Sequence, residues 1–213
     1  MDTVNETRQK FRETQLIRSQ LPPDPLPLFE RWLQEAQSAA LPHPTAMDLA
    51  TVSAEGLVSS RLVLLRYFDE RGFVFFTGLE TQKAQEIGEN ANVALLFPWL
   101  LLERQVRVTG TAVLLPTSET LRFFASRSRE SQMGAWLTQS GGVISTRSML
   151  KAKMAEIKQK FVDGSPSLPA AWGGYRVAPR RIEFWQGHAD GLHDRFAYTR
   201  QPDAAWLLER LLP

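Results

Sequence analysis

The sequence predicts a mainly β fold, an antiparallel barrel with α additions, and three features carry that prediction. Runs rich in branched and aromatic residues recur across residues 46–77, separated by turn signals such as "AEG" and "DERG". Beyond one helix near the start of the chain, helical periodicity returns only late, over residues 117–161. The glycine signatures G-x-G-x-x-G and G-x-x-x-x-G-K-[ST] are absent. That argues against a doubly wound sheet and leaves any nucleotide to be held by side chains on strands.

Residues 1–24 read as an amino-terminal arm and residues 25–213 as a single domain. Residues 6–20 suit a polar helix or arm, and the prolines of "LPPDPLP" set an extended connector after it. Over residues 26–40 the apolar Phe29, Trp32, Leu33 and Ala36 recur at the spacing of one buried helix face. "AMDLATVS", "LVSSRLVLLRYF" and "FVFFT" follow as a meander of antiparallel hairpins. Thr81 is placed to cap a short helix in "TQKAQEIGEN", after which "NVALLFPW" and "RQVRVTGTAVLL" resume the strands. In the late helical region Leu150, Met154, Ile157 and Phe161 mark one amphipathic face, ended by "DGSPSLP". "GGYRVA", "RIEFWQG", "RFAYTR" and "AWLLERLL" close the chain as short strands.

Composition excludes several functions. The chain has no cysteine, so thiol nucleophiles, disulfides and thiolate zinc sites are ruled out, and three histidines leave little for a metal. No apolar run approaches a bilayer span and "MDTVNETRQK" is charged where a secretory signal would be apolar, so the expectation is a cytoplasmic protein with no membrane partner. The net charge of +2 gives no broad nucleic-acid footprint. Of the 25 basic residues 19 are arginine, a side chain whose planar fork suits phosphate and carboxylate.

Four clusters and the stretch "IEFWQGHADGLHDRF" could carry chemistry. Arg61 and Arg66 bracket the apolar "RLVLLR"; five apart on one strand, they would serve opposite faces. Phe76, Thr77 and Lys83 stand at a strand end and a helix start, an arrangement suited to a phosphate or, equally, to a capped helix with a solvated lysine. Glu103, Gln105 and Arg107 share one face of a strand and fit a ladder of cross-strand charge pairs. Arg122, Arg127, Ser128, Arg129 and Ser131 crowd a helix boundary, either as a phosphate clamp or as a solvated face. The spacing of His188, Asp190, His193 and Asp194 fits no standard metal pattern, and no catalytic triad is recognisable. Phosphate-binding potential without a nucleophile points to a cofactor that does the chemistry.

"LPPDPLPLFERWL", "RLVLLR", "LLFPWLLLERQVRV", "SRESQMGAW", "WGGYRV", "RIEFWQG" and "LHDRF" together make the chain from about Arg8 to Pro213 resemble the pyridoxine (pyridoxamine) 5′-phosphate oxidase family. The resemblance implies an FMN-binding split β-barrel of Greek-key type, a homodimer with the flavin in a cleft at the interface. It implies oxidation of a small phosphorylated pyridine to pyridoxal 5′-phosphate, with dioxygen reoxidising the flavin and hydrogen peroxide released. By position, FMN would contact Arg61, Leu62, Val63, Leu64, Leu65, Phe76, Thr77, Gln82, Lys83, Gln105, Gln139, Ser140, Trp185 and Arg195. Substrate would meet Arg8, Phe11, Arg66, Phe123, Arg127, Ser131, Gly191 and His193, with His193 and Arg66 nearest the chemistry.

The departures from the family pattern fall mostly on the substrate side. Arg66 stands for a lysine, Phe123 and Phe11 for tyrosines, and Gln82 for an arginine that helps hold the flavin phosphate. Gly191, in "GLH", takes the place of the arginine of an Arg-Leu-His triplet that lies over the substrate in the family. Losing one charge-assisted hydrogen bond costs about 1.5–3 kcal/mol, so these changes predict weakened substrate engagement with flavin binding retained. Two alternatives stay open: a flavin oxidase of the same fold acting on another ring, with Gly191 making room, and a non-catalytic carrier of FMN or pyridoxal phosphate.

Overall fold

The computed structural model describes residues 13–139 and 142–213. The first long element is helix α1, Pro25–Ser38, started by Asp24, whose carboxylate accepts from the Leu26 amide at 2.8 Å, with proline in the first turn. Its predicted face, Phe29, Trp32, Leu33 and Ala36, is buried. Phe29 meets Phe68, Phe73 and Phe97 edge-on, each at 4.9 Å between ring centroids. Each such ring contributes roughly 1.5–3 kcal/mol by leaving water.

Nine strands form one antiparallel sheet among the described residues: β1 Ala46–Val52, β2 Val58–Leu64, β3 Tyr67–Asp69, β4 Gly72–Gly78, β5 Asn92–Trp99, β6 Arg104–Leu114, β7 Trp172–Gln186, β8 Asp194–Arg200 and β9 Trp206–Arg210. Their order is β2-β1-β5-β6-β7-β4-β3, with β8 and β9 branching from β7. Helix α2, Gln82–Glu89, joins β4 to β5. Three helices, α3 Thr117–Ala125, α4 Arg129–Thr138 and α5 Arg147–Lys160, separate β6 from β7.

The antiparallel barrel with late helices is therefore present, but the simple meander is not: β4 leaves the β1/β2 hairpin and pairs with β7. "GGYRVA" and "RIEFWQG" are one continuous strand, because Pro179 sits at the β6/β7 bulge beside Gly110, where no ladder hydrogen bond is required of it. "LVSSRLVLLRYF" divides instead. The ladder stops at Leu64, Leu65 turns into the core, and the Arg66 amide donates to the Val74 carbonyl. Arg61 and Arg66 are thus separated by a chain turn, not by the pleat of one strand.

The cross-strand register sorts the sheet into two faces. Arg61, Leu49, Leu95, Val108, Ile182 and Tyr198 are successive partners, and all but Arg61 are fully buried. One residue along, Leu62, Asp48, Leu96, Arg107 and Glu183 form the neighbouring row on the opposite face. The first row belongs to the core and the second faces outward.

Candidate active site

Where α2 begins, Lys83 Nζ lies 3.3 Å from both the Thr77 and Thr81 hydroxyls. Burial, and then the neighbouring Arg61, push the Lys83 ammonium below its usual range. No carboxylate comes within ion-pair distance of it among the described residues. Thr81 precedes α2 without making the side-chain cap expected of it; its hydroxyl donates to the Gly78 carbonyl at 2.7 Å. The Thr81 carbonyl accepts from the Ala84 and Gln85 amides, which leaves the Gln82 and Lys83 amides unclaimed by Thr81, beside two cations.

Arg61 is anchored rather than loose. Its guanidinium donates to the Leu49 carbonyl, to the hydroxyls of Thr51 and Ser59, and at 3.4 Å to Glu86. Glu86 is buried and also accepts from Thr51, Ser59 and, at 2.8 Å, Gln82. Hydrogen bonds from Thr51 and Ser59 hold its carboxyl at about 2, well under the ordinary value. Gln82, expected among the phosphate contacts, spends its amide on Glu86. Glu86 itself carried no sequence signal beyond its spacing of four from Gln82 on a short helix.

On the far side of β4, three rings lie nearly parallel. Phe123 stacks on Phe76 at 4.0 Å and 11°, and Phe76 on Trp172 at 5.1 Å and 14°. Gly174, the partner of Phe76 on β7, makes this possible: a Cβ there would fall 2.6 Å from the Phe76 ring. Arg127 lies over Trp172, its guanidinium carbon 4.9 Å from the ring centre. Its Nη1 is buried and has no hydrogen-bond partner. Arg66 sits 6.0 Å from the Phe123 ring. Burial depresses both arginines, and Arg127 is lowered further by the charge of Arg66. A half-buried guanidinium with an orphaned donor, within reach of a second cation's charge, is suited to an anion.

The rest of the expected clamp is turned elsewhere. Arg129 donates to the Phe161 carbonyl, and Ser128 caps α4 by accepting from the Ser131 amide at 3.3 Å. Arg122 is exposed. Ser131 remains beside Arg127 in the first turn of α4, its hydroxyl 3.1 Å from that of Ser128.

A second group lies on the outward face of the sheet. Gln105 pairs with Trp185 and Trp185 with Arg195 in register. Leu96, Gln105, Arg107, Glu183, Trp185, Arg195 and Pro213 line an open cleft of about 390 Å³. Glu183 is 5% exposed and binds Arg195 at 2.8 Å and Arg107 at 2.7 Å. Burial pushes its carboxyl up, but the bond from Arg195 and the charge of Arg107 outweigh it and leave the group below its ordinary value. The charge ladder read at Arg107 is therefore real. Glu103, however, precedes the strand in a left-handed conformation, φ 51°, and belongs to the turn. The His193 ring lies 4.7 Å from Trp185. Gly191 has φ +78°, and a Cβ built there meets nothing within 4 Å.

The expected residues thus fall into two groups. Arg61, Phe76, Thr77, Lys83, Arg66, Phe123, Arg127 and Ser131 gather around β4 and the starts of α2 and α4, and the Gln139 backbone packs against Gly78 beside them. Gln105, Trp185 and Arg195 line the cleft on β6, β7 and β8, with the His193 ring against Trp185 and Gly191 in the turn that leads to it. No hydrogen bond, ring contact or shared cavity joins the groups among the described residues. Leu62 and Leu64 point outward, Val63 is half-buried and Leu65 is core. Arg8, Phe11 and Ser140 lie outside the described residues. His188, Asp190, His193 and Asp194 bond to one another and to the backbone, and no group of three or more potential ligands could hold a metal among the described residues.

Residues 33–161 match the family model described as pyridoxamine 5′-phosphate oxidase, and residues 172–213 match the pyridoxine 5′-phosphate oxidase C-terminal dimerisation region. The chain is 52% identical over 208 residues to the pyridoxine/pyridoxamine 5′-phosphate oxidase of Crocosphaera subtropica, covering 97% of each chain. It is 49% identical to that of Escherichia fergusonii, covering 100% of this chain and 97% of the other. Among solved structures, PhzG of Burkholderia lata, in complex with tetrahydrophenazine-1-carboxylic acid, superposes with a TM-score of 0.87 at 29% identity, covering 95% of this chain and 100% of its own. An FMN-binding protein of Nostoc punctiforme shares the fold, with a TM-score of 0.73 at 16% identity over 91% of this chain and 99% of that one.

Proposed function

From the premise that the chain belongs to the pyridoxamine 5′-phosphate oxidase family, we propose that it oxidises pyridoxine or pyridoxamine 5′-phosphate to pyridoxal 5′-phosphate as an FMN-dependent homodimer. The observation that carries this reading is the orphaned, buried Arg127 Nη1 within reach of the charge of Arg66, a donor that a phosphate ester would satisfy.

The donor chemistry fits FMN. Lys83, Thr77 and Arg61 would hold its phosphate, the segment 62–65, through its outward Leu62 and Leu64 and its backbone, and Phe76 would flank it, and Gln105, Trp185 and Arg195 would meet it from the other group. Gln139 and Ser140 would complete its contacts. Gln82 would act through Glu86 and not by touching the phosphate. Bound FMN supplies the hydride acceptor that no side chain of this protein can provide.

The remaining roles belong to side chains. Arg127, Ser131 and Arg66 would bind the substrate phosphate and fix the ring's position, which lowers the entropic cost of reaction. Phe123 lacks a hydroxyl and would serve as an apolar wall. His193 would contact the ring, and Arg8 and Phe11 of the arm, residues 1–24, would add substrate contacts to those of the single domain, residues 25–213. Dioxygen is the final acceptor and hydrogen peroxide the by-product in this reading. A cytoplasmic setting belongs to the same proposal, because a charged phosphate ester does not cross a bilayer unaided.

A second reading, oxidation of a different ring, is favoured by the open space at Gly191. One experiment separates the two: an anaerobic visible spectrum of the FMN-loaded protein, before and after pyridoxine 5′-phosphate and then pyridoxamine 5′-phosphate. Bleaching of the oxidised flavin that returns with oxygen supports the B6 oxidase. Flavin binding without bleaching moves the search to bulkier rings, and tight ligand binding without peroxide under any substrate leaves a carrier.

A further inference from the structure

The stretch between β7 and β8 closes on itself through a buried carboxylate. Asp194 is 4% exposed, and both of its oxygens are used. Oδ2 accepts from the Leu16 amide at 2.8 Å and from His188 Nε2 at 2.8 Å, while Oδ1 accepts from the Arg210 guanidinium. The His188 amide donates in turn to His193 Nδ1 at 3.1 Å. Gly191 and Leu192 tighten the same turn through the His188 carbonyl and the Asp190 carboxylate, at 3.3 and 2.9 Å.

This sequence of bonds decides how His193 presents itself. An imidazole nitrogen that accepts a hydrogen bond uses its lone pair, so the proton of the neutral ring must sit on the other nitrogen. With Nδ1 filled by the His188 amide, His193 carries its N–H at Nε2. The His188 amide keeps its direction because the His188 ring is tied to a carboxylate held from two further elements, the segment before α1 and strand β9.

We propose that His188 and Asp194 are positioning residues for His193, locking it in the Nε2–H tautomer beside Trp185. The proposal rests on the reading that His193 contacts the substrate ring. A carboxylate that orients one histidine through a neighbouring one resembles in logic the outer partners that fix histidine tautomers at other sites.

The test uses the FMN-loaded homodimer labelled with ¹⁵N-histidine, in which two-bond proton–nitrogen correlation spectra report the His193 tautomer, alongside steady-state turnover of pyridoxine 5′-phosphate. His188→Leu removes the anchor, and His188→Asn keeps polarity but is too short to reach Asp194. His188→Gln retains a donor that can. The lock predicts a single Nε2–H pattern in the parent and in H188Q. It predicts mixed tautomers in H188L and H188N, with kcat/KM down about tenfold, the loss expected for one positioned hydrogen bond. FMN content should stay unchanged throughout. An unaltered His193 pattern in a folded H188L or H188N protein overturns the proposal. A changed tautomer with unchanged turnover upholds the positioning role and removes His193 from the substrate site.

Discussion

Arg127 is half-buried over Trp172 with one buried guanidinium nitrogen unpartnered, and the charge of Arg66 adds to its cost. A buried donor without an acceptor costs about 1–3 kcal/mol, which an incoming phosphate would recover. Replacing Arg127 by alanine should therefore raise the KM for pyridoxine 5′-phosphate by roughly a hundredfold, while the flavin stays bound; a substrate titration on the loaded protein checks both. Arg127→Lys should recover only part of that, because an ammonium lacks the fork. Gly191 allows the converse test. Gly191→Arg points a side chain into open space but adopts φ +78°, which costs a non-glycine residue about 1 kcal/mol. The expected result is a KM for pyridoxine 5′-phosphate lower by about tenfold together with a melting temperature lower by a few degrees. A melting loss without any gain in KM favours the different-ring reading.

At the scale of elements, α2 and the hairpin β1/β2 are joined by Glu86. Its folded carboxyl titrates at about 2 against 4.5 for the free group. A depressed folded value means that the unfolded chain takes up its proton first as pH falls. The contribution is thus complete above about pH 4.5 and disappears as pH falls toward 2. Glu86→Gln should flatten the acid limb of stability in that window, read as urea midpoints at a series of pH values. It should also free Arg61 to move, which a change in FMN affinity would register. None of this was legible in the sequence, because the partners Thr51, Ser59 and Glu86 come from three elements that meet only through the register of β1 with β2. The helix α1 was legible to within two residues, since its face is written in the spacing of Phe29, Trp32, Leu33 and Ala36. What misled was local pattern without topology. An apolar run across residues 57–68 looks like one strand until Leu65 is needed in the core, and Pro179 looks like a stop until a bulge accommodates it. Most predicted site residues, including Trp185, His193 and Arg127, were found through resemblance, whereas Glu183 and His188, which hold their neighbours in place, were not singled out as doing so.

Across the whole molecule, the two groups of site residues lie too far apart in the sheet to serve one flavin from a single chain. Strand β4 pairs directly with β7, but Phe76 faces Gly174 there while Gln105 faces Trp185, eleven residues further along the same strand, roughly 36 Å on an extended chain. The outward row that connects them begins at Leu62, 69% exposed, and ends at the cleft around Glu183, Trp185 and Arg195. That cleft is lined largely from residues 172–213, which match the dimerisation region of the family. A second copy laid against this face would cover the exposed leucines and bring the cleft of one protomer to the β2 and α2 group of its partner. Both anomalies, the divided set of proposed site residues and the exposed leucines of β2, then have one cause. Leu62→Glu places a charge on that row without disturbing the core face of β2, so each protomer should still fold. Sedimentation should show the variant as a monomer at concentrations where the parent is dimeric. Because the proposed flavin site takes groups from both protomers, the monomer should lose bound FMN together with its oxidase activity. A variant that stays dimeric with its flavin would place the interface on another face of the sheet.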